Sequence, residues 1–340
     1  ANEVAAAINQ LGLGDKYVGM YAYNKHCAPP SVKVHPNVII SVTTAFLTGG
    51  WTFDQVVEGW TKQGAALGVY DYFSVIAWDW NMPRRGKAAR ATSLAAAIRS
   101  YYDKGARFLD AESGDAWGPY GLGYYVASRV MWDVDEADRA DEIVDDFLQK
   151  CFGPAKEPMA EFYYLIGEDH TRRSTTDLLA RMYRRLNAAR ELARDDPKVM
   201  ARLDDLVLYT RYAELYDAYA RTVGGGKEKA RNAMITHAYR MRKTMMVHVY
   251  GLFARTVGQK AAHDPNYPLK SDDPFTDEEI ARFVSEGMKN NEPVEIDFEP
   301  VAFSEDLVPA AGRLGLPDVP PGKYPSVPQD RLLGNYRQGP

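Results

Sequence analysis

Leu67–Phe73 reads LGVYDYF, and Arg107–Gly118 reads RFLDAESGDAWG. Both open on a short apolar run and close on carboxylates, Asp71 in the first and Asp110 and Glu112 in the second. Between them Ser93–Lys104 has helical periodicity and stops at Gly105. Strand, helix and strand at this spacing make a βα unit of a parallel sheet. Outward from this unit, Val38–Thr43 (VIISVT) is β-branched and bounded by Pro36-Asn37 and Gly49-Gly50. Tyr17–Tyr23 (YVGMYAY) follows an amphipathic opening helix with Val4, Ala7, Ile8 and Leu11 on one face. Thr52–Gln63 is expected as a helix, with Thr52 as its cap and Phe53, Val56, Val57 and Trp60 as its apolar side. Further helices are expected over Gly121–Trp132 and Asp138–Cys151, the latter stopped by Phe152-Gly153-Pro154.

The expected fold class is therefore α/β. Four strand candidates with intervening helices make half of a (β/α)8 barrel or a small open sheet. Parallel strands need both faces covered, and a half barrel leaves two open edges. The favoured expectation is the C-terminal half of a barrel, with the other half upstream of Ala1 or supplied by an oligomer partner. At 340 residues the chain exceeds the roughly 250–300 at which single cores split. Three regions are read: a partial barrel over 1–155, a helical bundle over 156–260 and an irregular extension over 261–340. The bundle is read as Thr176–Arg194, Pro197–Val223 and Lys227–Val257. Thr276–Lys289 is a short helix with Thr276 and Glu279 as a capping box, and Val294–Ala302 alternates like a strand. The Pro-rich remainder reads as a linker to a further domain.

Composition excludes several partners. The chain is 46% hydrophobic and 26% charged, which rules out disorder for most of it. Its net charge is −5 and its basic residues are dispersed among acids, so nucleic acid is not an expected partner. Apolar stretches such as Asn37–Val42 fall far short of the roughly 20 residues that span a bilayer. Cys27 and Cys151 are expected as buried free thiols, with a single bridge between them as the alternative. His237 and His248 lack metal-ligand spacing, Gly224-Gly225-Gly226 follows no strand, and no G-x-S-x-G elbow occurs. No metal or cofactor is expected.

In a barrel, chemistry collects at the C-terminal ends of strands. Tyr23 and Asn24 close the first strand, Asp71 and Tyr72 the third, and Asp110 and Glu112 the fourth. Glu112, beside Ser113-Gly114 and Trp117, is the sharpest candidate for acid or base work on a sugar. Its alternative is a cap on the helix near Gly118 or a bridge to an arginine. For Asp71 the alternative is a hydrogen bond to loop backbone. Trp51, Trp78, Trp80 and Trp117, with Tyr70, Tyr72 and Tyr120, crowd the same loops and together suggest a saccharide platform. Taken singly, each is better read as core filling. Asp79 stands between Trp78 and Trp80 as a further carboxylate.

These motifs, in the order YVGMYAY, PPSVKVHPNVIISV, LGVYDYF, RFLDAESGDAWG, GLGYYVASRVMWDVD and DDFLQKCFGPAKEPMAEFYY, carry a resemblance over about residues 1–170. The chain resembles the C-terminal half of the bacterial domain-of-unknown-function family 4838, part of which is classed as glycoside hydrolase family 163. Tyr70-Asp71-Tyr72 matches the family's Asp-Tyr strand end, Glu112 the Glu of the next strand, and Met131-Trp132-Asp133 the end of a helix. The resemblance implies a (β/α)8 barrel and, where an activity is assigned, endo-acting cleavage at β-linked N-acetylglucosamine in complex glycans. It suggests substrate-assisted chemistry, in which the 2-acetamido oxygen attacks the anomeric carbon. One carboxylate orients that group and another protonates the leaving oxygen. On this expectation Glu112 and Asp71 are active-site carboxylates with unassigned roles, and Tyr72, Tyr23, Asn24, Trp80, Asp79 and Trp117 contact substrate. A secreted or periplasmic location is expected for such a hydrolase. The sequence departs from the family in Ser113, where Gln commonly follows the Glu, and in the loop WDWNMPRRGK after Phe73.

Overall fold

Four parallel strands pair in chain order in the computed structural model, which describes residues 1–167 and 175–289. They are β1 (Val18–Asn24), β2 (Val38–Leu47), β3 (Ala66–Tyr72) and β4 (Phe108–Glu112). All four strands expected from sequence are present. β2 runs four residues past Thr43 because Asn24 pairs with Leu47 beyond an irregularity in β1. Val42 pairs with Val69, Tyr70 with Asp110 and Tyr72 with Glu112. The strand period of two then sorts the side chains. Ala22, Ile40, Val42, Leu67 and Val69 are buried on one face, in a cluster with Ala5 of α1 (Asn2–Gln10). Val56, Val57 and Trp60 of α2 (Phe53–Lys62) complete that cluster. Thr52 and Gln55 close a capping box at the start of α2. The opposite face presents Tyr21, Tyr23, Phe108, Asp110 and Glu112, all exposed.

After β3 the chain forms a single turn, α3 (Ile76–Asp79), then α4 (Ala91–Asp103). After β4 come α5 (Trp117–Trp132), α6 (Ala140–Phe152) and α7 (Lys156–Gly167). Leu94, Ala95 and Ile98 of α4 pack with Tyr120, Val126 and Val130 of α5 and Ile143 of α6. Gly123 is required where α5 crosses Ala88, because a Cβ there would collide with the Ala88 carbonyl oxygen.

Among the described residues six more helices follow: α8 (Thr176–Ala193), α9 (Pro197–Arg221), α10 (Lys227–Arg240), α11 (Val249–Thr256), α12 (Gln259–His263) and α13 (Asp277–Lys289). Their core contains Leu178, Tyr183, Leu203, Tyr209, Tyr212, Leu252 and Phe283. Asp196 caps α9 through the Lys198 and Val199 amides, and the expected Thr276–Glu279 capping box is present. The single helix expected over Lys227–Val257 is broken. Met245 takes a left-handed φ of 58°, and the Met245 and Met246 carbonyls accept from the Trp117 and Gly118 amides that open α5. No glycine or proline marks that break. A tertiary hydrogen-bond demand makes it. The strand expected over Val294–Ala302 and the linker after it lie outside the described residues.

Residues 79–84 tie the sheet to the helices. Tyr209 Oη donates to the Asn81 carbonyl at 3.1 Å and Tyr212 Oη to the Trp80 carbonyl at 2.8 Å. The Arg84 guanidinium donates to the Leu165 carbonyl at 2.9 Å. Trp80, Asn81 and Arg84 all have positive φ (52°, 53° and 68°), a costly geometry for residues with a Cβ, which these bonds hold in place. Cys27 is buried and Cys151 half-buried, both as free thiols. Among the described residues no helix is long and apolar enough to cross a membrane.

Candidate active site

The parity of β3 decides the site. Tyr70 and Tyr72 project from the open face, and Asp71 between them projects to the other. Tyr70 Oη donates to Glu112 Oε1 at 3.0 Å across the β3–β4 pair. Burial, then the Glu112 carboxylate, pushes the Tyr70 and Tyr72 phenols up to about 12, so both remain protonated donors at neutral pH. Around them lies a cavity of about 400 Å³, lined by Tyr21, Tyr23, Phe46, Tyr70, Tyr72, Trp78, Glu112 and Arg255, among others. Its rings form a continuous wall. Tyr21 meets Tyr70 edge-on at 5.1 Å, Tyr70 meets Tyr72 at 5.4 Å, and Tyr72 meets Trp78 at 5.0 Å. Phe46, at a φ of 59°, bridges Tyr23 and Tyr72, each at 5.8 Å. Such a wall offers flat apolar faces flanked by hydroxyl donors and one carboxylate, the chemistry that fits a pyranose ring.

Of the residues singled out in the sequence, the structure thus gathers Glu112, Tyr23, Tyr70, Tyr72 and Trp78. Asp71 lies behind the sheet. Its side chain is 2% exposed and ion-paired with Lys87, and it accepts from Thr44 Oγ1 at 2.7 Å and Tyr101 Oη at 3.0 Å. Burial and that carboxylate raise the Tyr101 phenol far above its ordinary value. The two carboxylates therefore occupy opposite faces of one sheet.

Asp79 is also buried, accepting from the Val75 amide at 2.6 Å and the Asn81 amide at 2.8 Å. Burial pushes its carboxyl up against the pull of those amides, and it organises the α3 turn. Trp80 stacks on Tyr216 of α9 at 5.7 Å. Trp117 lines a separate cleft, edge-on to Tyr124 at 5.4 Å. Asn24, with φ 51°, ends β1, and its carbonyl accepts from Thr48 Oγ1 at 2.9 Å. Phe46 and Arg255 escaped the sequence reading. Phe46 lies beyond the expected end of β2, and Arg255 is remote in sequence from every strand.

A larger cavity, about 750 Å³, lies beside α9, α10 and α13. Two of its cations are paired, Arg211 with Glu214 and Arg240 with Glu279. His237 Nε2 lies 2.9 Å from the Leu208 carbonyl, and burial holds the imidazole down at about 4. These groups serve packing.

Residues 1–164 match the family model of a domain of unknown function, DUF4838. This match supports the resemblance drawn from the motifs over that segment. No curated protein and no solved structure matches the chain. The matched segment holds β1–β4, Glu112 and the aromatic wall, whereas Arg255 comes from beyond it.

Proposed function

We propose that the chain carries a glycoside hydrolase site, with Glu112 as its active-site carboxylate and the Tyr21–Tyr70–Tyr72–Trp78 wall as its saccharide platform. The observation that carries this reading is the Tyr70–Glu112 hydrogen bond inside the aromatic cavity at the C-terminal ends of β3 and β4. Tyr70 holds the carboxylate in one orientation, which is what a group acting at a single sugar atom needs. The finer proposal is cleavage of β-N-acetylglucosaminides in complex glycans, outside the cell or in the periplasm. There the substrate's acetamido oxygen attacks the anomeric carbon as the glycosidic C–O bond breaks, an active-site acid gives its proton to the leaving oxygen, and Glu112 hydrogen-bonds the reacting sugar.

The same reading makes the sheet half of an eight-stranded barrel. Three features support it: parallel pairing throughout, helices over one face, and edge strands β1 and β4 without partners among the described residues. The second carboxylate of the reaction belongs, on this proposal, to strands paired on those edges. Release of reducing sugar from N-acetylglucosamine-containing glycans tests it. Glu112→Gln is expected to lower turnover by at least about 100-fold with an unchanged melting temperature. Equal rates for the two proteins would overturn it.

One observation favours a second reading, a carbohydrate-binding protein without hydrolysis. Glu112 is the sole carboxylate lining the cavity among the described residues. That reading expects glycan binding in both wild type and Glu112→Gln and no product from either.

A further inference from the structure

Arg255 stands in the same cavity as Glu112, and among the described residues it has neither a hydrogen-bond nor an ion-pair partner. Of the other cavity-lining arginines, Arg211 pairs with Glu214, Arg240 with Glu279 and Arg242 with Asp272, while Arg107 donates to the Tyr102 and Ala106 carbonyls. Its position is built by the fold. The break before α11 fastens Met245 and Met246 to the start of α5, and the His248 amide donates to Asn81 Oδ1 at 2.8 Å. Gly251 then lets α11 lie against Ile76 of α3, and its last turn brings Arg255 to the rim of the sheet. Arg255 is exposed, so water and the helix dipole satisfy its guanidinium, and the fork stays open towards the edge-on rings of the cavity.

We infer that the cavity takes an acidic saccharide, whose carboxylate pairs with Arg255 while its rings lie on the Tyr72–Trp78 wall. This rests on the saccharide reading above and adds the substrate class. Guanidinium and carboxylate match in a planar, two-point geometry, so a uronic acid suits Arg255 better than a neutral sugar. Glu112 repels the same group, which directs the acidic residue towards Arg255 and leaves the neutral N-acetylhexosamine at Glu112.

The test is calorimetric binding to the full chain carrying Glu112→Gln, so that no turnover intrudes. The probes are a hexasaccharide of alternating glucuronic acid and N-acetylglucosamine and its carboxyl-reduced counterpart, both at low salt. The acidic probe is expected to bind about 10-fold or more tightly than the reduced one. Adding Arg255→Gln should erase that preference without changing affinity for the reduced probe, and Arg255→Lys should restore part of it. Equal affinity for the two probes, or a preference that survives Arg255→Gln, overturns the inference and leaves the saccharide reading intact. Binding of neither probe overturns both.

Discussion

Tyr70 and Asp71 are neighbours in the chain, yet their side chains serve opposite faces of one strand. Tyr70 donates to Glu112 at 3.0 Å in the open cavity, while Asp71 is ion-paired with Lys87 beneath the sheet. Geometry therefore separates a carboxylate available to a ligand from one committed to the fold.

Asp71→Asn is expected to act through stability. Removing one partner of a nearly buried pair costs about 3 kcal/mol, somewhat less here because Lys87 is partly exposed. Urea denaturation should show that loss, with partial recovery in Asp71→Asn combined with Lys87→Met. Turnover below the melting range should fall only a few-fold. A loss of about 100-fold at full folding would return Asp71 to the chemistry.

The cavity phenols set an alkaline limit. Tyr70 and Tyr72 are held near 12 in the folded chain, against an ordinary value near 10. A raised folded value means the unfolded chain ionises first. Their contribution is then complete below pH 10 and lost as pH rises towards 12. Urea midpoints should fall across that window, and less steeply in the Tyr70→Phe, Tyr72→Phe double variant. In Glu112→Gln, the Cζ resonance of Tyr70 should titrate at lower pH than in wild type.

His237 sets an acid limit. Its imidazole is depressed to about 4 by burial, with Arg211 and Arg240 adding to the effect. The neutral form is therefore preferred on folding, so the stability is whole above pH 6.5 and is lost as pH falls through 4. The loss amounts to about 3 kcal/mol. Stability measured at pH 7 and pH 4 should differ less in His237→Gln; an unchanged difference would assign the acid sensitivity elsewhere.

The backbone of residues 80–81 should depend on two phenols. Tyr209→Phe and Tyr212→Phe each remove the donor to a carbonyl in a left-handed stretch. Each is expected to cost about 1–2 kcal/mol in thermal unfolding. The double variant should lose more than the sum, because the two bonds restrain one loop.

Much of the local structure was written in the sequence. The β-branched run at Val38–Thr43, Thr52 ahead of Phe53, and Thr276 with Glu279 each specify an element through steric preference or a cap made within a few residues. Those interactions are short-ranged, so the chain alone determines them. The Asp-Tyr and Glu strand ends were legible for the same reason, as was the match over residues 1–164. Which face Asp71 takes was implicit in the strand period, but only pairing with β4 showed that Glu112 shares a face with Tyr70 and Tyr72.

Tertiary structure decided the rest. The helix expected over Lys227–Val257 breaks at Met245 because two amides of α5 need its carbonyls, a demand that no residue near Met245 announces. Trp80 turns inward because α9 supplies its neighbours, and Arg255 reaches Glu112's cavity across 143 positions of sequence for the same kind of reason. Periodicity and caps act over one or two turns of chain. The cavity's composition comes from packing between segments far apart, and only the folded chain brings those together.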